Sequence, residues 1–233
     1  MTTILMALIL FSEIMSESNI KDKVGIISIY SQRKQIDYIE KHNISLFLFG
    51  QKKFLDLFQV RLDLPSGIAK GKLILSDLMV NFTINPSEIL MKPCFSLGFE
   101  FPTGTSPATS GRFTISPKLS LMQELTENIS LNFLILGNFS PDKSEKRYNT
   151  LFPHTFNEIL GFIGIRTGLK SISLQPAIGL IYENFKYLGF QFQAEVITSV
   201  SDNFEISVVS FLNIGERTIR KGYGAGLSLN YSF

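Results

Sequence analysis

Few side chains in this sequence are of the types that carry out acid–base or nucleophilic chemistry. There are only two histidines, His42 and His154. His154 follows Ser140 and Ser144 and precedes Glu158, so a serine, a histidine and a carboxylate occur within one stretch of the chain. A general base must reach its nucleophile through a hydrogen bond and be oriented by a third group, and nothing in this spacing requires either contact. The sequence therefore predicts no catalytic residue, and hydrolysis is kept as a less favoured alternative.

The composition also argues against several other kinds of site. Cys94 is the only cysteine, so neither an intramolecular disulfide nor a cysteine-based metal site can form. The 22 basic and 20 acidic residues leave a formal net charge of +2 at pH 7, and no basic stripe is interleaved with aromatic residues. We therefore expect no metal, no cofactor and no nucleic-acid partner, and we predict a protein that is not an enzyme.

The hydrophobic residues are distributed in a way that favours strands over helices. They make up 45% of the chain, and the mean hydropathy is +0.19. After the first dozen residues, however, no run approaches the ~20 apolar residues that a spanning helix needs. The aromatic residues comprise 21 Phe, 7 Tyr and no Trp, and such side chains are enriched in strands.

The N-terminal segment is predicted to be separate from the rest. Residues 3–11, "TILMALILF", form a short apolar run that precedes the polar stretch "SEIMSES". This length is typical of a secretory signal peptide, which we assign to residues 1–19, although no Lys or Arg precedes the apolar run. A short amphipathic or buried helix is the alternative.

From about residue 23 onward, apolar and polar residues alternate with the period of two that is typical of strands. One face is apolar and the other is small or polar in residues 94–101 ("CFSLGFEF"), 111–121 ("GRFTISPKLSL"), 171–182 ("SISLQPAIGLIY") and 187–196 ("YLGFQFQAEV"). Two stretches are apolar on both faces, so that their register stays open: 160–169 ("LGFIGIRTGL") and 205–213 ("EISVVSFLN").

The connections fall alternately into two classes when they are counted back from the C-terminus. One class is mostly longer and more charged, as in residues 140–155 and 213–221, and the other is mostly short, as in residues 49–53, 167–171 and 199–203. Outer-membrane barrels have an even number of strands, with long loops at one rim and tight turns at the other. We therefore predict an all-β fold, a closed antiparallel transmembrane β-barrel of about twelve strands (range 10–14) over residues 20–233.

The composition of the polar face distinguishes a membrane barrel from a soluble sandwich. That face carries Ser, Thr, Asn, Gln and Gly with isolated charges, whereas most Lys and Arg residues lie in the predicted connections. Only helices and closed barrels pair every backbone group inside a bilayer. The apolar face is then expected to contact lipid, and the polar face to line a narrow polar lumen. The lumen-lining candidates are Arg61, Asp63, Glu100, Arg112, Lys118, Gln191, Gln193 and Glu195. They could line a solute path, or pair with one another and plug the barrel.

The C-terminal strand "GYGAGLSLNYSF" is cleanly two-sided. Counted back from the last residue, Phe233, Tyr231 and Leu229 begin an apolar face, and small or polar residues fill the other face. Bacterial outer-membrane barrels commonly finish on an aromatic residue of such a strand. We therefore expect these three residues to act as an assembly signal that is recognised by the barrel assembly machinery.

Residues 92–140 resemble the transporter-like barrels of the MetA-pathway of phenol degradation family. The matching features are Pro102, Thr103 and Gly104 at the end of one strand, Pro117 in the next, and the closing pair Gly137–Asn138. The resemblance implies an outer-membrane protein that passes small, in some cases aromatic, molecules, although this chain is short for the family. Pro102, Thr103 and Gly104 would then shape a loop at the pore mouth, or form a plain turn.

These observations together predict an outer-membrane channel or transporter of a Gram-negative bacterium for small molecules, including hydrophobic or aromatic ones. Its expected partners are outer-membrane lipid, the barrel assembly machinery and a small-molecule solute. A non-conducting structural or adhesion barrel is the first alternative, and an outer-membrane lipid hydrolase is the second.

Overall fold

The computed structural model describes residues 22–35, 38–54, 57–69, 72–86, 91–104, 112–141, 157–169, 171–183, 187–215 and 222–233. The predicted signal peptide, residues 1–19, lies outside this part of the chain. The described residues form strands joined by turns. The strands are β1 (Lys23–Gln35), β2 (Tyr38–Phe54), β3 (Phe58–Ala69), β4 (Lys72–Leu75), β5 (Leu78–Ile84), β6 (Pro93–Phe101), β7 (Thr114–Thr126), β8 (Ile129–Phe139), β9 (Asn157–Leu169), β10 (Ile172–Glu183), β11 (Tyr187–Ser201), β12 (Phe204–Gly215) and β13 (Gly222–Ser232). No helix among the described residues is both long and apolar enough to cross a membrane.

The strands close into a ring of antiparallel pairs. Consecutive strands pair from β5 to β13, β13 pairs with β1, β1 with β2, and β2 with β3. The position after β3 is shared, because β5 pairs with residues 58–63 of β3 and β4 pairs with residues 66–69. The 13 strands therefore occupy 12 positions, with a break at Ser76–Asp77. The predicted closed barrel of about twelve strands is confirmed.

The outer surface is an apolar belt. Along β10, the exposed residues Ile172, Leu174, Ile178 and Leu180 alternate with residues that face the interior. Tyr30, Tyr182 and Tyr223 are exposed near one rim, whereas Tyr231 and Phe233 are exposed at the rim where the described chain begins and ends. Tyr223 and Tyr231 are separated by about 26 Å along the strand, or about 20 Å along the membrane normal at a tilt of about 40°. An apolar band of this height between two aromatic girdles is the surface of a transmembrane barrel.

The chain ends meet at one rim, and their contacts complete the ring. The backbone N–H of Phe233 donates to the carbonyl oxygen of Asp22 (3.0 Å). The Asp22 carboxylate accepts from the backbone N–H of Lys53 (2.8 Å) and from the ammonium of Lys52 (3.1 Å). These two hydrogen bonds lower the pKa of Asp22 below its usual value, and the bond from the Lys53 backbone has the larger effect.

One of the short connections named above was placed wrongly from the sequence. Residues 49–53, "FGQKK", were expected to be a short turn, but they lie inside β2, and the connection follows at residues 55–57. The strand continues because alternation is maintained through Phe49 and Gln51, which both face the interior. The polar residues that suggested a turn belong to the interior face and to the end of a long strand.

Candidate functional site

The barrel interior is the candidate site, and one sector of its wall is polar. Among the described residues, the buried side chains of β3, β5, β6 and β7 include no Leu, Ile, Val or Phe. This polar sector owes its character to strands whose inner positions are mostly Ser, Thr, Asn, Gln or charged residues, with Met79 and Cys94 as buried apolar exceptions. The buried polar side chains here are Gln59, Arg61, Asp63, Ser66, Asn81, Thr83, Ser96, Glu100, Ser116, Lys118 and Ser120.

A buried ion pair lies on this sector. Arg61 and Asp63 follow one another on the inner face of β3, and the Arg61 Nη2 atom lies 2.6 Å from Asp63 Oδ1. The amide of Asn81, on β5, donates to Asp63 Oδ2 (3.2 Å). The guanidinium of Arg61 also stacks on the Phe49 ring of β2, 3.9 Å from its centroid. Both charges are therefore compensated along the wall, by neighbours on three adjacent strands.

A second polar network joins β7, β8 and β9. The Ser116 hydroxyl donates to Asn138 Oδ1 (2.6 Å), and Asn138 Nδ2 donates to Glu158 Oε1 (2.8 Å). Asn138 and Glu158 are direct cross-strand neighbours, so the contact follows from the register. Like the ion pair, this network connects neighbouring strands of the wall.

The rest of the wall carries apolar side chains, which corrects the expectation of a uniformly polar lumen. The buried apolar cluster comprises Ile27, Ile29, Phe47, Phe49, Leu134, Leu136, Leu160, Phe162, Ile181, Val209 and Phe211, on β1, β2, β8, β9, β10 and β12. The expectation that the lumen-facing residues are polar was wrong here because several of these strands are apolar on both faces. In β9, Leu160 and Phe162 point inward while Ile163 and Ile165 are exposed on the outside. The lumen wall is therefore two-sided, with a polar sector and an apolar sector in which buried polar residues such as Ser45, Asn132 and Ser207 are interspersed.

Glycines make room for the inward phenylalanine rings. An added Cβ at Gly179 would lie 2.3 Å from the Phe162 ring, and one at Gly224 would lie 2.4 Å from Phe211. Any larger residue at these two positions would force the ring to move, so each ring packs over the glycine of the neighbouring strand.

A stripe of amides interrupts the apolar sector on β10, β11 and β12. Its members are Gln175, Gln191, Gln193 and Asn213, with Glu195 beside them. Gln191 Nε2 donates to Gln193 Oε1 (3.1 Å). Neither side-chain amide atom of Gln175 has a hydrogen-bond partner among the described residues, nor do Gln191 Oε1 and Asn213 Oδ1. An unsatisfied buried polar atom costs about 1–3 kcal/mol, so this stripe lowers the stability of the wall.

The structure places all eight predicted lumen residues on the inner side of the barrel. Arg61, Asp63, Glu100, Lys118, Gln191, Gln193 and Glu195 are buried on strands, and Arg112 is buried just before β7. Arg61 and Asp63 come together, as do Gln191 and Gln193, on two different parts of the wall. Their part in solute passage stays a prediction. Sequence reasoning missed the inward apolar residues and Asn213, for which the signal was apolarity on both faces of strands such as β9 and β12. It did not select Gln175, although this residue lies on the polar face of residues 171–182.

Pro102, Thr103 and Gly104 dock onto the break between β4 and β5. Thr103 Oγ1 accepts from the backbone N–H of Leu78 (3.0 Å), and the N–H of Gly104 donates to Asp77 Oδ1 (3.0 Å). An added Cβ at Gly104 would lie 2.6 Å from the carbonyl carbon of Ser76, so only glycine permits this approach. The start of the connection to β7 is thereby held against the strand break at the rim opposite the chain ends.

The residues considered for hydrolysis do not assemble within the described structure. His154 and Ser144 lie outside the described residues, as does the side chain of His42. Ser140 donates its hydroxyl to the carbonyl oxygen of Phe113 (3.1 Å), and Glu158 belongs to the network with Asn138. Among the described residues, no group of three His, Cys, Asp or Glu side chains is arranged to hold a metal ion.

Comparison with solved structures defines the class to which this fold belongs. No protein-family model and no curated protein matches the chain. An outer membrane channel from Pseudomonas putida F1 superposes with a TM-score of 0.74 at 10% sequence identity, over 92% of this chain and 96% of that one. The NanC porin gives a TM-score of 0.65 at 6% identity, over 90% of this chain and 100% of the porin. The CymD monoaromatic hydrocarbon channel gives 0.56 at 7% identity, over 98% and 92%. The chain therefore has the fold of the outer-membrane β-barrels.

Proposed function

We propose that this protein is a bacterial outer-membrane channel through which small molecules pass, hydrophobic or aromatic ones among them. The observation that carries the proposal is the two-sided wall inside a closed barrel with an apolar exterior. The apolar sector adds a surface along which a hydrophobic solute could move.

The comparisons support this proposal at the level of the fold. The neighbours include two proteins described as channels and one described as a porin, and one of these is a channel for monoaromatic hydrocarbons. We extend that behaviour to this chain because its interior combines polar and apolar wall residues. The outer-membrane location, with lipid around the belt, follows from the same fold. We further propose that the barrel assembly machinery recognises the C-terminal strand through Phe233, Tyr231 and Leu229.

Planar-bilayer recording tests the channel directly. The folded protein, purified in detergent, is expected to give stepwise unitary currents, and detergent alone none. Lys118 lies on the inner wall, so Lys118→Glu should shift the reversal potential in a salt gradient toward cation selectivity. Glu127→Lys, a charge reversal in an exposed turn, serves as the matched control and should have a smaller effect.

The possible results separate the channel from its alternatives. A folded barrel without unitary currents would refute the channel and favour a non-conducting barrel. If Lys118→Glu leaves the reversal potential unchanged, ions do not pass along this wall. Hydrolysis of outer-membrane phospholipid by the purified protein, abolished in His154→Ala, would establish the hydrolase instead.

A further inference from the structure

Two residues of opposite charge face the lumen mouth at the rim where the chain ends meet. We propose that these residues, Arg166 on β9 and Glu205 on β12, form a charge filter that sets how readily cations pass through this mouth relative to anions. The inference rests on the proposed channel function, because only a conducting lumen carries ions past the two side chains.

Both side chains of the charge filter lie on the inner face and remain accessible. Along β9, Arg166 is adjacent to Ile165, which is exposed on the outer belt, and along β12 Glu205 is in phase with the buried Val209. β9 ends and β12 begins at the rim of the chain ends. Arg166 and Glu205 are half-buried, whereas inward residues further from this rim, such as Leu160 and Val209, are buried. The two charges are therefore placed where solvent and ions can reach them.

The two residues interact with each other although their strands are not neighbours. Arg166 interacts electrostatically with Glu205 and with Glu195, which is buried further along β11. β10 and β11 separate β9 from β12 in the ring. Since Arg166 and Glu205 both face the interior, their interaction runs through the lumen, and an ion that enters this mouth passes between them.

The carboxylate of Glu205 is held in place by the last strand. Asn230 on β13 is the register partner of Glu205, and Asn230 Nδ2 donates to Glu205 Oε1 (3.3 Å). The Ser228 hydroxyl donates to Asn230 Oδ1 (2.8 Å), which orients the amide with its N–H groups toward Glu205. A carboxylate that is fixed in this way and is still half-exposed presents its charge at a defined position in the path of an ion.

Reversal potentials in planar bilayers test the charge filter. Membranes that hold many copies of the wild-type protein separate KCl solutions of about 5 and about 20 mM, because the Debye length is about 30 Å near these concentrations and screening is weak. A unit charge alters the energy of a monovalent ion roughly 8 Å away in water by the equivalent of about a factor of two, in opposite directions for K⁺ and Cl⁻. Removal of one charge should therefore change the K⁺/Cl⁻ permeability ratio about fourfold.

Variants of each member locate the effect. Glu205→Gln should lower the permeability ratio about fourfold, and Arg166→Gln, on a different strand, should raise it by a similar factor. Glu205→Asp keeps the charge and should keep the ratio within about a factor of two of the wild-type value. Glu127→Gln makes the same change as Glu205→Gln in an exposed turn at the same rim, and it should leave the ratio unchanged.

Two precautions make the comparison specific. Each variant is first shown to be folded by the heat-dependent gel shift, and if one of the two glutamine variants of the charge filter does not fold, the other decides. Further charged residues of this rim, such as Lys23 on β1 and Lys53 on β2, are the same in every variant. A change in the permeability ratio therefore reports the substituted residue.

The outcomes distinguish this inference from the proposed function. If folded wild-type protein passes no current, the proposed channel is wrong, and the charge filter is refuted with it. If the wild type conducts but folded Glu205→Gln or Arg166→Gln keeps the wild-type permeability ratio, the channel stands and the charge filter is refuted. A change in the same direction for both variants, or an equal change in Glu127→Gln, would also refute it.

Discussion

Replacing Ile135 by arginine should strongly destabilise the barrel, whereas an arginine in the exposed turn at Asn128 should not. Ile135 lies near the middle of β8 and is 55% exposed on the outer belt. Asn128 lies in the turn that precedes the same strand and is exposed. An arginine that faces lipid at the bilayer midplane costs about 2–4 kcal/mol, and this cost falls to about 0–1 kcal/mol near the interface. Ile135→Arg is therefore expected to lower the folding equilibrium constant by about 30- to 700-fold.

Equilibrium unfolding in urea, in lipid vesicles, measures this difference. Because the sequence has no Trp, far-UV circular dichroism and the heat-dependent gel shift are suitable probes. Asn128→Arg is the matched control, since its guanidinium lies in solvent outside the apolar belt, and it should cost less than about 1 kcal/mol. Equal destabilisation by the two variants, or a larger effect of Asn128→Arg, would refute the assignment of Ile135 to the lipid-facing belt.

Three further results are expected. Phe233→Asp should reduce the amount of barrel assembled in the outer membrane of cells, and normal, heat-modifiable membrane protein would contradict the assembly role. Asp63→Ala leaves the buried Arg61 without its carboxylate and should cost about 1–3 kcal/mol in urea unfolding, whereas Asp63→Asn should cost less; equal costs would argue against a charge effect. Gly104→Ala forces a Cβ against the backbone of Ser76 and should cost about 1–3 kcal/mol, so unchanged stability would show that this contact adapts freely.

The strands and their number could be predicted because lipid imposes a simple rule on the outer face. Every second residue must be apolar there, so stretches such as 94–101 and 187–196 could be assigned before the structure was known. The same rule did not locate the end of β2. Gly50, Gln51 and Lys52 resemble a turn in composition, but a long strand can carry such residues at its end, where it leaves the apolar belt.

The site was less predictable because it depends on which strands are neighbours. Leu160 and Val209 lie in stretches that are apolar on both faces, and period two alone cannot say which face is inside. Only the pairing of β9 with β10 shows that Phe162 lies over Gly179 and beside Gln191. The positions of the polar interior residues were easier to predict. A charged residue such as Lys118 in a lipid-spanning strand can be accommodated only on the interior side.

The pairing of β1 with β13 has a consequence for biogenesis. Every other neighbour in the ring is close in sequence, whereas this seam joins residues 23–33 to residues 222–232. Until the last strand is available, β1 keeps an unpaired row of backbone donors and acceptors, which is the arrangement that recruits foreign strands. Closing so large a loop is entropically slow, so closure of the ring is expected to come late in folding. The sheet has no free edge only after β1 has paired with β13.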